Sequence, residues 1–396
     1  MITSAQQIRT YRGPALLSYG FRPFFLGGAI WGAVAVGLWL PMLAGSLTLP
    51  TAFSPLEWHV HELLYGYLPA VAAGFLLTAV PNWTGRLPVT GRPLLILFLI
   101  WISGRVAILT SALTGLWFAA TVDLAFLGAM IVVIAREIIA GRNVKNLRVL
   151  VLVGVLFAGN AVFQVEAALG VGDGYGTRIG IAAAVLLIML IGGRIIPSFT
   201  RNWLTKRAPG RLPVSFGGFD VFAILVGAIA LASWVAAPRS TGTAALLAIA
   251  GVVHTIRLAR WAGERTAPEL LLLVLHVGYA FVPVGFFLGA LAIAAPHIVS
   301  PSGALHAWTV GAVGLMTLGV MTRASLGHTG RVLAATWPIA LIYAAVLTAA
   351  IARIVAAFEI ARTPMLQISA AAWMMAFGGF VVVYWPVLTG PRKLHA

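Results

Sequence analysis

Long apolar stretches separated by short polar breaks account for nearly the whole chain. Each stretch is close to the roughly 20 residues that a helix needs to cross the hydrocarbon core of a bilayer. The pattern predicts twelve transmembrane helices, over about residues 22–43, 57–80, 93–113, 115–139, 148–170, 178–197, 217–236, 242–258, 268–295, 303–322, 333–357 and 364–388. The expected fold is an all-α integral membrane protein, a single polytopic membrane domain over residues 1–396 with both termini on one side. The first apolar run opens near Phe24 and is long enough to span, so it reads as a first helix and not as a cleavable leader. Two helix starts are marked locally. Ser54-Pro55-Leu56-Glu57 and Thr266-Ala267-Pro268-Glu269 each set a capping residue three before a Glu, and they predict where spans two and nine begin. A weak echo links the segments Val80 to Arg86, Ile196 to Arg201 and Met321 to Arg331. They lie four helices apart, at the ends of spans two, six and ten, and hint at three four-helix units.

Composition supports the bilayer as solvent. The chain is 61% hydrophobic and 9% charged, where a soluble domain is about half apolar and about a quarter charged. Lys and Arg outnumber Asp and Glu by 26 to 10, but they are dispersed between apolar spans and form no basic stripe, which argues against nucleic acid as a partner. Their distribution is instead strongly one-sided. One set of loops and flanks holds 21 of the 26, from Arg9, Arg12 and Arg22 through Lys145 and Arg257 to Arg392 and Lys393; the other holds only Arg178, Arg239, Arg353 and Arg362, with Arg105 inside span three. By the positive-inside rule the first set, and with it both termini, is cytoplasmic. Cysteine is absent, which excludes disulfides, iron–sulfur clusters, thiolate-ligated haem and covalently attached c-type haem.

A charge at the bilayer centre costs at least about 2.5–3.5 kcal/mol, so ionisable side chains within spans are functional candidates. They are Glu62, Arg105, Asp123, Glu166 and Arg353, each in the outer half of its helix under this orientation, as are His59, His61 and His306. Histidines, carboxylates and arginines at one depth are what a haem or metal site with proton-carrying neighbours needs. The alternative is that the arginines only pair with the carboxylates to hold helices together. His59 and His61, two residues apart, diverge by about 200° on a regular helix and so do not readily share one metal. His276, ten residues after Thr266, is expected near mid-membrane, hydrogen-bonded or ligated. His254 and His328 are expected near the cytoplasmic face as solvated or loop-capping groups, and His297 and His395 as exposed and idle.

At these residues the chain resembles the NnrS proteins of the bacterial nitric oxide response. The likeness is carried by Phe21-Arg22-Pro23-Phe24-Phe25, Trp58-His59-Val60-His61-Glu62, the run from Ala73 to Trp83, Gly193 to Thr200, Leu275-His276-Val277-Gly278-Tyr279, and His306 to Arg331. It implies a twelve-helix protein of the bacterial inner membrane that carries haem b and copper and is linked to nitric oxide and nitrosative stress. A looser likeness is to the catalytic subunit of haem–copper oxidases, which sets haem-ligating histidines near the outer ends of helices two and ten. Here those positions hold His59, His61 and His306; the copper histidines of helices six and seven have no counterpart, which leaves His276 and a second histidine from helix two. On this reading His59, His61, His306 and His276 are metal ligands, Arg105 balances haem, and Glu62 and Glu166 carry protons while nitric oxide is reduced to nitrous oxide with electrons from a quinol or a cytochrome. The competing class is a non-enzymatic sensor, buffer or carrier. A carrier calls for broken helices facing each other at the midplane, whereas the proline breaks here are expected at helix ends.

Overall fold

The computed structural model describes residues 11–142, 146–172, 174–207 and 209–393. The expectations for Arg9, Lys145 and His395 fall outside them. The described residues form twelve helices long and apolar enough to cross a membrane. They are α1 Phe21–Leu43, α2 Pro55–Thr84, α3 Arg92–Leu109, α4 Leu116–Ala140, α5 Leu147–Leu169, α6 Tyr175–Leu204, α7 Gly218–Ala236, α8 Thr241–Ala259, α9 Leu270–Ala294, α10 Ser302–His328, α11 Trp337–Ala356 and α12 Arg362–Thr389. The chain is thus an all-helical, multi-pass membrane protein. Polarity is distributed to match: His61 and Glu62 are 0% exposed, while Val382 is 76% exposed.

α2, α6 and α10 run beyond their predicted ends, so Val80–Thr84, Ile196–Arg201 and Met321–His328 of the echoing segments continue as helix. In each, a π-helical turn interrupts the α-helix, at Glu62–Tyr67, Ile188–Gly192 and Ala307–Gly314. These turns recur at the four-helix spacing of the echo, but the contacts group the helices into two units and not the three expected.

By its internal contacts the chain forms two compact units, the first of Met1–Gly180, Ala324–Val332 and Phe377–Ala396, the second of Ile181–Arg323 and Leu333–Ala376. In the first, α1 packs on α2, α2 on α4, α3 on α4 and α4 on α5. Small residues permit the close approaches: Gly28 and Gly32 both face α2, against Val71 and Tyr67, and Gly104 lies against the Asp123 backbone. In the second, α7 packs on α8, α8 on α9, and α9 on α6 and α10.

The capping box expected at α2 forms: Ser54 Oγ accepts from Glu57 N–H and the Glu57 carboxylate accepts from Ser54 N–H. The one expected at α9 does not. Thr266 Oγ1 bonds the Gly263 carbonyl within a short 3₁₀ turn, and the cap is Glu269, which accepts from Leu271 N–H. α9 therefore starts at Leu270, and His276 stands only six residues, about 9 Å, inside it. Prolines are not confined to helix ends either: Pro283 sits in the middle of α9, beside the Val282 carbonyl that accepts the Trp308 indole N–H at 3.1 Å.

Candidate functional site

In the first unit four antiparallel neighbours bring polar side chains to one level. Glu62 follows the start of α2 by seven residues and Asp123 the start of α4 by seven; Arg105 precedes the end of α3 by four and Gln164 the end of α5 by five. At 1.5 Å per residue all lie about 6–11 Å from the same ends of their helices. Arg105 spans the two carboxylates, donating Nη1 to Glu62 Oε2 at 2.7 Å and pairing Nη2 with Asp123. Trp31 Nε1 donates to the same Glu62 oxygen at 2.6 Å, and Asn160 Nδ2 to Asp123 Oδ2 at 2.7 Å. His61 closes the network, with Nδ1 3.0 Å from Glu62 Oε1, and Nε2 3.2 Å from Asp123 Oδ2 and 2.9 Å from the Gln164 amide. Phe53, Tyr65 and Phe163 surround the imidazole.

This arrangement has a chemical meaning. Only an imidazole protonated on both nitrogens donates to both carboxylates at once, with the Gln164 amide turned to present its oxygen to Nε2; an unprotonated Nε2 instead accepts from the Gln164 N–H. With that proton, two carboxylates face two cations; without it, one negative charge is left over and one of the two bonds is lost. Gly66, in the π turn, is what lets the guanidinium cross α2, because a Cβ there would fall 2.9 Å from Glu62 Oε2 and collide with Arg105.

The remaining expected residues are elsewhere. His59 points away from His61, as their spacing requires, and stacks on Trp39 with ring centroids 3.9 Å apart. Glu166 accepts the Tyr175 and Gly176 N–H groups at 2.7 and 2.9 Å, capping α6, and the Tyr65 hydroxyl donates to the Gly176 carbonyl at 2.6 Å. In the second unit His306 Nδ1 donates to the Ser302 carbonyl at 2.7 Å, and His276 Nε2 lies 2.9 Å from Thr200 Oγ1. Gly278 packs on Leu315 and Met316, and Gly319 on Leu275, so His276 is level with residues 10–13 positions after His306, about 15 Å from it along the axis. His297 is exposed.

The sequence reading missed two features. One is the pair of amides Asn160 and Gln164, a helical turn apart in an apolar span, whose spacing is itself a usable signal. The other is a second buried network in the second unit, between α7, α8, α9 and the π turn of α6. Arg257 donates Nε to Asp220 Oδ1 at 2.9 Å, and Nη1 to the Met189 carbonyl and the Tyr279 hydroxyl at 2.8 Å each. His254 Nδ1 lies 2.8 Å from that hydroxyl, and its Nε2 donates to the Ala223 carbonyl at 3.0 Å. His254 and Arg257 are both 0% exposed, so neither is the solvated flank group the sequence suggested. Nearby, in the loops before α7 and α9, Arg211 donates to both Glu264 oxygens at 2.7 Å and holds that carboxyl below its ordinary range.

Haem and copper both need an imidazole with one nitrogen oriented by a partner and the other directed at the metal. His61 does not fit, since both nitrogens are engaged and the ring is enclosed. His306 meets the first condition, because the Ser302 carbonyl accepts from Nδ1–H and orients the ring. His276 fits: Thr200 holds Nε2, and Nδ1 is buried with no hydrogen-bond partner. Among the described residues no three His, Cys, Asp or Glu side chains converge in metal-ligating geometry.

No curated protein matches the chain. The family model described as NnrS protein matches residues 15–392, nearly its whole length. The twelve apolar helices and this match together make the chain a multi-pass membrane protein that belongs to the NnrS family, a family of the nitric oxide response.

Proposed function

We propose that the chain acts on nitric oxide within the bacterial inner membrane, reducing two molecules to nitrous oxide and water, with the His61–Glu62–Arg105–Asp123 cluster as its proton store. The observation that carries this reading is the imidazole set between two buried carboxylates. The overall reaction consumes two protons and two electrons, the electrons coming from a quinol or a cytochrome. The cluster is enclosed by its helices although it lies near their ends, and an imidazolium bridged to carboxylates there would hold a proton in readiness. Haem held through His306 and copper held through His276 would supply the one-electron chemistry. His59, stacked on Trp39, remains a further proposed ligand. Glu166, which shares Gly176 with Tyr65, is the second proposed proton carrier.

Reduced, detergent-purified protein should consume nitric oxide and release nitrous oxide, and its optical spectrum and metal content should report haem and copper. Glu62→Gln should slow turnover and leave the spectrum intact. A second reading, nitric oxide bound without turnover as in a sensor or buffer, is favoured by one observation: His276 and His306 are about 15 Å apart, too far to hold two molecules side by side for nitrogen–nitrogen coupling. Nitric oxide binding with no nitrous oxide from fully reduced protein would decide for it.

A further inference from the structure

At one end of the first unit three distant pieces of chain meet: the start of α1, the end of α10 and the residues after α12. Arg22 Nη1 donates to the Leu388 carbonyl at 2.9 Å and the Gly390 carbonyl at 2.7 Å, fastening α1 to the last turn of α12. Lys393 N–H donates to the Thr329 carbonyl at 2.9 Å. Between them Gly330, at φ +70°, lies so close to the Lys393 carbonyl that a Cβ would collide with it. The His328 ring packs on Tyr19 and Phe21, with centroids 5.4 and 5.7 Å apart.

The result is a gathering of cations: Arg331 follows Gly330, at which a Cβ would lie 3.7 Å from the Arg392 side chain, and Arg22 is bonded to the Gly390 carbonyl two residues before Arg392. No described carboxylate forms an ion pair with any of them; the paired acids are committed to Arg105, Arg86, Arg136, Arg257, Arg211 and Arg362. Arg331 Nη1 is buried with no hydrogen-bond partner. The surface next in sequence is apolar: Val332, adjacent to Arg331, is 77% exposed, and in the last two turns of α12 Val382 is 76% and Trp385 51% exposed.

We propose that this cluster binds the phosphate group of an anionic membrane lipid. Guanidinium forks match phosphate oxygens, and basic pockets between helices on the cytoplasmic side recognise lipid head groups in this way. The ends of α1, α10 and α12 lie where the charge distribution puts the cytoplasmic head-group layer, and Trp385, Val382 and Val332 give the acyl chains a surface to lie on. A free phosphate offers the same oxygens but has no use for that apolar rim. The inference rests on the membrane reading and is independent of any nitric oxide chemistry.

The test is lipid retention by the full-length protein, purified in mixed micelles of phosphatidylglycerol and phosphatidylcholine and measured by native mass spectrometry. The wild type should retain phosphatidylglycerol preferentially. Each arginine neutralised should weaken that preference about five-fold, and Arg331→Gln with Arg392→Gln about 25-fold. Arg331→Lys, which keeps the charge, should restore most of it and shows that loss is not misfolding. Arg148→Gln, at an exposed cation elsewhere, should change nothing. Equal retention by wild type and the double variant would overturn the site. Displacement of phosphatidylglycerol by millimolar inorganic phosphate would overturn the lipid as its occupant.

Discussion

Replacing Arg105 by Met removes the one guanidinium between Glu62 and Asp123 while keeping the length of the side chain. Two scales bear on the cost. Deleting one partner of a buried ion pair costs about 3–5 kcal/mol in soluble proteins, whereas polar contacts between membrane helices average about 0.6 kcal/mol, because the chain unfolded in the membrane also finds partners. Two bonds on the second scale give about 1 kcal/mol. The geometry decides for the larger figure, since the variant does more than lose bonds. Bracketing one guanidinium sets the two carboxylates roughly 5 Å apart; at an effective dielectric of about 20 their repulsion is about 3 kcal/mol, and with Arg105 gone one imidazolium is left to offset two acids. Trp31, Asn160 and His61 stay in place and keep the acids solvated. Thermal unfolding of detergent-purified protein, followed by tryptophan fluorescence, should therefore show Tm lowered by about 6 °C, at ~2 °C per kcal/mol for a large chain. The triple variant Arg105→Met, Glu62→Gln, Asp123→Asn removes the guanidinium and both carboxylates, which leaves His61 a neutral imidazole, and should recover most of the loss. A Tm for Arg105→Met within about 2 °C of wild type, or a triple variant as unstable as the single one, would refute the reasoning.

Gly66→Ala should lower Tm in the same direction as Arg105→Met and not add to it, because both break the same crossing of guanidinium over α2; fully additive losses in the double variant would separate the two. Glu166→Gln should cost about 1 kcal/mol through the weakened cap of α6, read as a small drop in Tm; loss of nitrous oxide formation at unchanged Tm would instead support proton carriage. The Arg211–Glu264 pair gives a pH dependence. Its carboxyl is held below the ordinary range, so its stabilisation is present above the ordinary carboxylate value of 4.5 and is lost as pH falls through the lower folded value. Arg211→Gln should thus lower Tm slightly at pH 7 and have no effect in strong acid. The effect stays under about 1 kcal/mol, because both side chains are more than half exposed.

Helix number and the depth of Glu62, Arg105 and Asp123 were legible because bilayer thickness and the cost of buried charge act on composition alone. Partners were less legible. That Glu62 and Asp123 share Arg105 follows from how α2, α3 and α4 pack, and an apolar span announces nothing about its neighbour. His254 and Arg257 illustrate a different gap. Their place near a helix end is compatible with water, and only Asp220 and Tyr279, supplied by α7 and α9, turn them into a buried network. The start of α9 was misplaced because Thr266 has the chemistry of a cap, yet the 3₁₀ turn at Gly263–Thr266 uses its hydroxyl first. Nothing in composition distinguishes a π turn from an α turn.

Those π turns have a common property, since each adjoins an ionisable side chain. Glu62 opens the one in α2, His306 directly precedes the one in α10, and the one in α6 contains Met189, whose carbonyl accepts Arg257. A π turn carries one extra residue, which widens the helix, loosens its regular bonding and shifts every side chain before it relative to those after it. In α2 the extra residue sets the direction of His61 and Glu62 against a base fixed by Leu68–Thr84. Deleting Leu63 restores regular α-helical spacing and turns Pro55–Glu62 by about 100° relative to the rest of α2. The helix should survive, with unchanged far-ultraviolet circular dichroism, while Glu62 and His61 swing away from Arg105 and Asp123. The deletion should therefore lower Tm at least as far as Arg105→Met, and adding Arg105→Met to it should lower Tm little further. A deletion variant with wild-type Tm would show that the π turn is incidental to the cluster.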